Sequence, residues 1–199
     1  GMELKSSPLK TLKNGDYRSK ERLVLNIINY LEVHKENFEE SSFWKKNAHL
    51  LLIFYLHDKE KDLLDYLIKL VDDWKYPNQD LLIIKRDWET INQKIKDGKA
   101  HELSEGDTFY LGACTKGATA EKSLRDQPFN RVQAKQRAYS LKQGYVNHII
   151  ANIAQEEQAV YGKILTQETI FEHLPSIEEI VISKFEPFYG KTSVEIEEH

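Results

Sequence analysis

Glu3 and Lys5 put a carboxylate and an amine two residues apart in the opening stretch Gly1-Met2-Glu3-Leu4-Lys5-Ser6-Ser7-Pro8. The stretch reads as the end of a strand running into a Ser/Pro turn. Successive strand residues point to opposite faces, so Glu3 and Lys5 share a face and Leu4 turns into the core. The carboxylate offers hard oxygens to a divalent cation. The amine can orient or deprotonate a water and neutralise charge on a pentavalent phosphorus. Both residue types are common, and a chance pair at this spacing arises about once per hundred residues. The plain alternative is a surface ion pair of little energetic value.

Three further groups could do chemistry. Lys45-Lys46 precedes the apolar run at residues 50–56. Lysines there can reach a phosphate, but on their own they read as gatekeepers against aggregation of that run. Cys114-Thr115-Lys116-Gly117 follows a predicted strand. Its small residues let backbone approach a ligand, and Lys116 can bond a guanine edge or a phosphate. The Gly and Lys order is not that of a Walker A loop, and Cys114 has no matching His to make it a nucleophile. Tyr139 and Tyr145 with Lys135, Arg137 and Lys142 mix aromatic and basic groups suited to phosphate and sugar contacts; the alternative is an amphipathic helix with an aromatic core face. The seven histidines are scattered, and no two have His-x-x-x-His spacing.

The rest of the chain must position these groups. At 199 residues, 40% hydrophobic and 30% charged, it is long enough for one domain with a real core. A single cysteine excludes an intramolecular disulfide and a cysteine zinc cluster and suggests a reducing compartment. The longest apolar run is strand length, well short of the roughly 20 residues that span a bilayer. The expected setting is therefore cytoplasmic, with no membrane partner. The net charge of −4 hides a basic segment at residues 116–142, where seven lysines and arginines face only Glu121 and Asp126. That is the footprint of a polyanion site, or a solvated face.

The spacing of apolar residues predicts strands at 22–30 and 50–56, the first with both faces apolar and so interior to a sheet. Residues 32–47 read as a loop or short helix. At 61–74 the pattern fits helix and strand about equally and leans to helix. Leu81, Ile84, Trp88, Ile91 and Ile95 predict a helix at 79–97, capped by Asn78, with Asp80 in the first turn and Gly98 ending it. A short strand is expected at 109–113, and 133–141 should lead into a helix carrying Tyr145, Ile149, Ile150 and Ile153. Pro175-Ser176-x-x-Glu179 is a capping box for a last short helix, followed by an acidic tail.

Several stretches together resemble one family. Gly1-Met2-Glu3-Leu4-Lys5-x-x-Pro8, Asp87-Trp88-Glu89, Phe109-Tyr110-Leu111 leading to Lys116-Gly117-Ala118, and Ala138-Tyr139-Ser140-Leu141-Lys142 are similar to the MutH-like DNA endonucleases. Ala100-His101-Glu102-Leu103-Ser104-Glu105-Gly106 and Ala134-Lys135-Gln136-Arg137-Ala138 look like the Sau-type restriction enzymes that cut at GATC. The likeness runs over about residues 1–185. It implies an α/β protein with the PD-(D/E)xK (restriction endonuclease-like) fold, a mixed central sheet flanked by helices, and Mg²⁺-dependent cleavage of double-stranded DNA. Glu3 matches the metal-binding acid, Lys5 the catalytic lysine and Lys46 a further active-site lysine, against the gatekeeper reading. Thr115 and Lys116 match a DNA-contacting recognition loop. Lys135, Arg137, Tyr139 and Lys142 match a DNA-contacting segment. The family pattern also makes 61–74 a strand.

The resemblance carries departures. The family's first acid is an Asp about seven residues before the Glu, which would precede Gly1, and the expectation is that this polypeptide alone is inactive or nearly so. Where the repair enzyme has an Arg, this chain has Cys114. The family's restriction enzymes carry a second, non-catalytic effector half, and this chain would end where that half begins. We therefore expect a catalytic domain over 1–175 and a helix with acidic tail over 176–199. Dimerisation on DNA is left open. A non-catalytic DNA-binding module of the same fold is the alternative, and a protein-interaction domain using the acidic tail is a third class. The nuclease reading requires Glu3, Lys5, Lys46 and Lys116 to line one groove.

Overall fold

The computed structural model describes residues 1–62, 65–117 and 123–166, with side chains to residue 156. The predicted capping box at Pro175, the acidic tail, the 175/176 boundary, Ala118, Glu121 and Lys122 lie outside the described residues.

The chain is mixed α/β. Strands β1 (Glu3–Thr11), β2 (Tyr17–Ser19), β4 (His49–Leu56) and β5 (Leu67–Lys75) form one sheet in the order β2-β1-β4-β5. β1 runs parallel to β4, with Glu3 opposite Leu50 and Lys5 opposite Leu52, while the other two pairings are antiparallel, so this sheet is mixed. A second, antiparallel sheet holds β3 (Leu23–Ile27), β9 (Arg137–Leu141) and β6 (Leu111–Thr115) in the order β3-β9-β6. β7 (Leu124–Gln127) and β8 (Asn130–Lys135) make a separate two-stranded hairpin. Helices α1 (Tyr30–Val33), α2 (Ser42–Asn47), α3 (Asn78–Lys96) and α4 (Gln143–Thr166) complete the described part. No helix among the described residues is long and apolar enough to cross a membrane.

The core is continuous across both sheets. Leu50, Leu52 and Phe54 of β4, Ile84, Trp88, Ile91 and Ile95 of α3, and Tyr145, Ile149 and Ile150 of α4 are buried in one cluster. The three- and four-residue spacing in α3 therefore does what an amphipathic stripe must. α3 begins one residue early, and Pro77, not Asn78, occupies its N-cap without a side-chain bond. Proline's fixed φ and missing N–H suit a helix entry. Asp80 is buried instead of solvated in the first turn, and accepts from the Tyr145 hydroxyl at 3.1 Å.

Several expectations are corrected. The opening strand does not stop at the Ser/Pro turn but continues through Pro8 to Thr11. Pro8 O accepts from Lys20 N at 3.0 Å on the β2 side. The N–H and C=O of one strand residue point the same way, so the missing donor faces that edge and costs β4 no ladder bond. Leu4 does not enter the core. It is 53% exposed, whereas Ser7 and Leu9, on the same side as Glu3 and Lys5, are buried. Leu23–Ile27 is an edge strand, not an interior one, and Tyr30 belongs to α1. The ambiguous 61–74 stretch yields the strand Leu67–Lys75, because a nine-residue partner for the apolar β4 closes a hairpin that a helix could not. Residues 133–141 form two strands in place of a helical lead-in, and the strand expected at 109–113 lies at Leu111–Thr115. β9 is the central strand of its sheet, so its residues 138–141 are buried on both faces, which erases the alternation that marks a strand.

Candidate active site and DNA-facing cleft

β1 sets Glu3 and Lys5 side by side, and Lys5 Nζ donates to Glu3 Oε1 at 2.9 Å. The third member comes from α2. Ser41 caps that helix by accepting from Trp44 N at 3.0 Å, and its last turn carries Lys45 and Lys46. β4 follows directly and pairs with β1, so the end of α2 is delivered to the start of β1. Lys46 Nζ thus lies 3.6 Å from the same Oε1. The side chains of Lys5, Glu3 and Lys46 are 17%, 28% and 51% exposed. One carboxylate between two ammonium groups leaves a local excess of positive charge in a half-dry setting, where charge interactions exceed their bulk-water strength. Such a cluster can hold an anionic phosphate and still offer carboxylate oxygen to a cation.

Mg²⁺ takes oxygen ligands, commonly one or two carboxylates together with substrate phosphates and water. Glu3 fits as one such ligand. Among the described residues no group of three or more His, Cys, Asp or Glu side chains is placed to hold a metal ion. The described residues therefore give one carboxylate of a site, not a complete cage.

A second feature lies beside the β6–β7 connection. A cleft of about 690 Å³ is lined by Arg22, Val24, Glu105, Thr115, Lys116 and Arg137 among others. Glu3, Lys5 and Lys46 do not line it, so the four residues expected in one groove divide three to one. β3 is common to both regions. It packs on β1, it contributes Val24 to the cleft, and its Asn26 Oδ1 accepts from Asn47 Nδ2, next to Lys46, at 2.7 Å.

The loop that carries Lys116 is closed at its base. Lys116 N donates to Gln136 O at 2.8 Å, and Gln136 N donates to Ser123 O at 2.5 Å. Gly117 has φ +114°, and a Cβ there would sit 2.6 Å from Ser123 Cβ, so only glycine fits. Thr115 is exposed and Lys116 half-buried at the cleft wall.

The predicted DNA-contacting segment is only partly available. Lys135 is exposed. Tyr139 is fully buried, its ring centroid 5.0 Å from that of Phe43, so its assignment as a DNA contact is corrected to a core residue. Burial also pushes its hydroxyl pKa well above the usual tyrosine value, so the group stays neutral. Arg137 reaches the cleft but spends its guanidinium on backbone, donating to Ala113 O at 2.6 Å and to Leu103 O. Lys142 donates to Glu105 O and Thr108 O. Both act in this structure as braces for the loop at residues 103–108 that forms one cleft wall. Tyr30, whose hydroxyl donates to Lys135 O at 2.5 Å, has its pKa pushed up to about 12 by burial, partly offset by the Arg137 charge.

Some residues of the cleft gave no signal in the sequence. Arg22 and Glu105 form an ion pair across it, both side chains 41% exposed. Nothing in their spacing links residues so far apart; the pair forms because β3 and β6 flank β9 in one sheet, which brings the segments that precede them together. Asp87 was noted only as part of a resembling motif. It is buried and accepts from the backbone N–H of Phe109, Tyr110 and Leu111 at 2.9, 2.6 and 2.8 Å, so it fixes where β6 starts and hence where Thr115 and Lys116 end up.

Known proteins supply an independent line. The family model described as DNA mismatch repair enzyme MutH matches residues 1–87, the part that contains Glu3, Lys5 and Lys46. The type II restriction enzyme Sau3AI of Staphylococcus aureus is 49% identical over 202 aligned residues, which take in all of this chain and 40% of that protein. The chain thus spans well under half the length of this relative. Residues 1–87 are thus similar to the MutH family, within a sequence that is similar throughout to the type II restriction enzyme Sau3AI.

Proposed function

We propose that this chain is the catalytic domain of a type II restriction endonuclease of the PD-(D/E)xK fold, acting on duplex DNA at GATC with Mg²⁺. The observation that carries the reading is the convergence of Lys5 and Lys46 on one Glu3 oxygen, inside the part of the chain that matches the MutH family. Strand neighbours could share an ion pair for purely structural reasons. A lysine delivered from a different element to the same oxygen is harder to explain that way.

In this mechanism Lys5, the less exposed of the two lysines, sits at the carboxylate and orients the attacking water. Lys46, more open to solvent, meets the scissile phosphate and offsets the charge that builds on it. Glu3 keeps both ammonium groups in place and offers the carboxylate ligand. A bound Mg²⁺ supplies Lewis acidity and a more acidic water. Thr115 and Lys116, with Lys135, contact the duplex from the neighbouring cleft. Arg137 and Lys142 hold that cleft's wall in shape. Because Glu3 is the only carboxylate in the cluster among the described residues, cutting by the 199-residue chain alone is expected to be weak.

The test uses two proteins, the chain as it stands and the chain extended at its N-terminus by an Asp-bearing segment of the family. Mg²⁺-dependent cleavage of a GATC duplex by the extended protein, lost in Lys5→Ala with DNA binding kept, supports the proposal. Persistent inactivity with good binding favours a non-catalytic effector module. Absence of salt-dependent DNA binding in both proteins removes the DNA reading altogether.

A further inference from the structure

The β7–β8 hairpin is a sheet of its own with one face fastened and the other bare. On the fastened side Ala134 is fully buried and Gln127 nearly so. Gln127 Oε1 accepts from Ala100 N at 2.8 Å, and its amide nitrogen donates to Val132 O. Asn130 Nδ2 donates to Gly98 O at 2.8 Å, and Tyr30 holds Lys135 O. Residues two apart on a strand share a face. Arg131, Gln133 and Lys135 alternate with Val132 and Ala134, and all three are exposed. Asp126 beside them accepts from Gln133 Nε2 at 2.9 Å.

The tip is unusual in its backbone. Pro128-Phe129 connects the strands, and Phe129 has φ +60°. Proline suits the first position of such a turn, and glycine is the usual residue where φ is positive. A bulky residue in the left-handed region is uncommon and is held there by its surroundings. Here Gly98 makes room, since a Cβ on it would meet the Phe129 backbone at 3.4 Å and Asn130 Cβ at 3.2 Å. The Phe129 ring touches His34 edge-on at 5.4 Å yet remains 78% exposed.

We infer that this hairpin is a β-ribbon that enters the major groove of duplex DNA, with Arg131, Gln133 and Lys135 directed at base edges and phosphates and Phe129 at its leading end. The inference rests on the DNA-binding reading above and deepens it. The major groove, about 12 Å wide, admits a two-stranded ribbon, and Arg, Gln and Lys are the side chains that bond purine edges there. The ribbon also springs from the rim of the Lys116 cleft. Gln136, which directly follows β8, is the residue clamped between Lys116 and Ser123, and its side-chain oxygen accepts from Arg125 Nη2 at 2.5 Å. Lys116 and the ribbon are therefore tied together through Gln136. A rigid basic ribbon already ordered in the free protein loses little entropy on docking.

The experiment measures binding of the whole 199-residue chain to a GATC duplex across a salt series, by fluorescence anisotropy. Arg131→Ala is expected to weaken binding about 10-fold and Gln133→Ala about 5-fold, each removing a contact of the kind that discriminates bases. Replacing purines in the duplex by 7-deazapurines, which lack the major-groove N7 acceptor, should weaken the unaltered chain and have little effect on the Arg131→Ala, Gln133→Ala double variant. Phe129→Gly removes the ring and suits the positive φ, so it should lower affinity while the melting temperature holds or rises. All three positions are exposed, and circular dichroism checks that the variants fold. Unaltered affinity in both alanine variants, beside a chain that binds, overturns the ribbon and leaves the DNA reading intact. A chain that does not bind the duplex at all overturns both.

Discussion

Lys46 Nζ lies 3.6 Å from Glu3 Oε1, although β2, β3 and α1 lie between the two residues along the chain. The parallel pairing of β1 with β4, Glu3 opposite Leu50, brings this about: the helix end that feeds β4 has nowhere else to go. The relationship makes Lys46 testable apart from Lys5. In an extended, active protein Lys5→Ala should lower the cleavage rate by about 100-fold or more, in the range of positioned acid–base groups. Lys46→Ala should act on the same step, and the double variant should fall short of the product of the two, because both share one carboxylate. Rates under single-turnover conditions, with DNA affinity measured in parallel, check this. Loss of affinity alone in either variant contradicts a role in chemistry.

Tyr139→Phe separates resemblance from structure. A tyrosine that contacts DNA loses affinity on losing its hydroxyl. The Tyr139 hydroxyl is buried, with the Trp88 side chain as its polar neighbour. Removing it should leave DNA binding unchanged and shift stability by no more than about 1 kcal/mol. Anisotropy and urea denaturation report the two halves of this prediction.

Gly117→Ala should damage the recognition loop. It forces a side chain into φ +114° and against Ser123. Strain of this kind costs about 1–3 kcal/mol, and the loop relaxes by breaking its bonds to Gln136. DNA affinity should drop at least 5-fold, with core stability little changed because Thr115 and Gly117 are exposed. Amide exchange at Lys116 and Gln136 would reveal the opened loop directly.

Asp87→Ala should be among the more destabilising single changes. It strips three backbone N–H groups of their acceptor in a buried place, at about 3 kcal/mol. Asp87→Asn keeps an acceptor oxygen and should cost clearly less. Denaturation midpoints at unchanged m-value give the comparison.

Asp107 predicts an acid limb in stability. Burial tends to raise its pKa, but the Lys94 ammonium at 2.8 Å and the Ser104 N–H at 2.7 Å outweigh it, and the folded value falls below the ordinary one. A depressed folded pKa means that the contribution is fully present above the unfolded value, about 3.9, and is lost as pH falls through the folded one. Asp107→Asn should therefore be less stable than the parent at pH 6, and the gap should close below pH 4. A gap that persists at pH 2 contradicts the assignment.

How much was legible beforehand differs from element to element. The α3 stripe and the apolar β4 run were readable because each repeats a local period that one face of the core enforces. By local spacing alone residues 61–74 and 133–141 were not readable as strands, although resemblance had made 61–74 one, as β5 bears out. The first carried two periods at once, and the second contained β9, buried on both faces. Resemblance, not spacing, pointed to Lys46. It also pointed to Tyr139 as a DNA contact, where burial decides otherwise, since similarity transmits residue identity and not solvent exposure.

The sequence by itself determined the chemical inventory: a Glu-x-Lys pair, a lysine before an apolar strand, a glycine-punctuated basic loop, and a resemblance to DNA-cutting enzymes. Tertiary structure alone decided which of these meet. Strand pairing set Lys46 on Glu3 and left Lys116 in a separate cleft, and it turned Leu4 outward. It also committed Arg137 and Lys142 to holding backbone. The reason is that local spacing fixes only the face on which a side chain emerges, while what stands opposite that face is fixed by contacts between residues far apart in the chain.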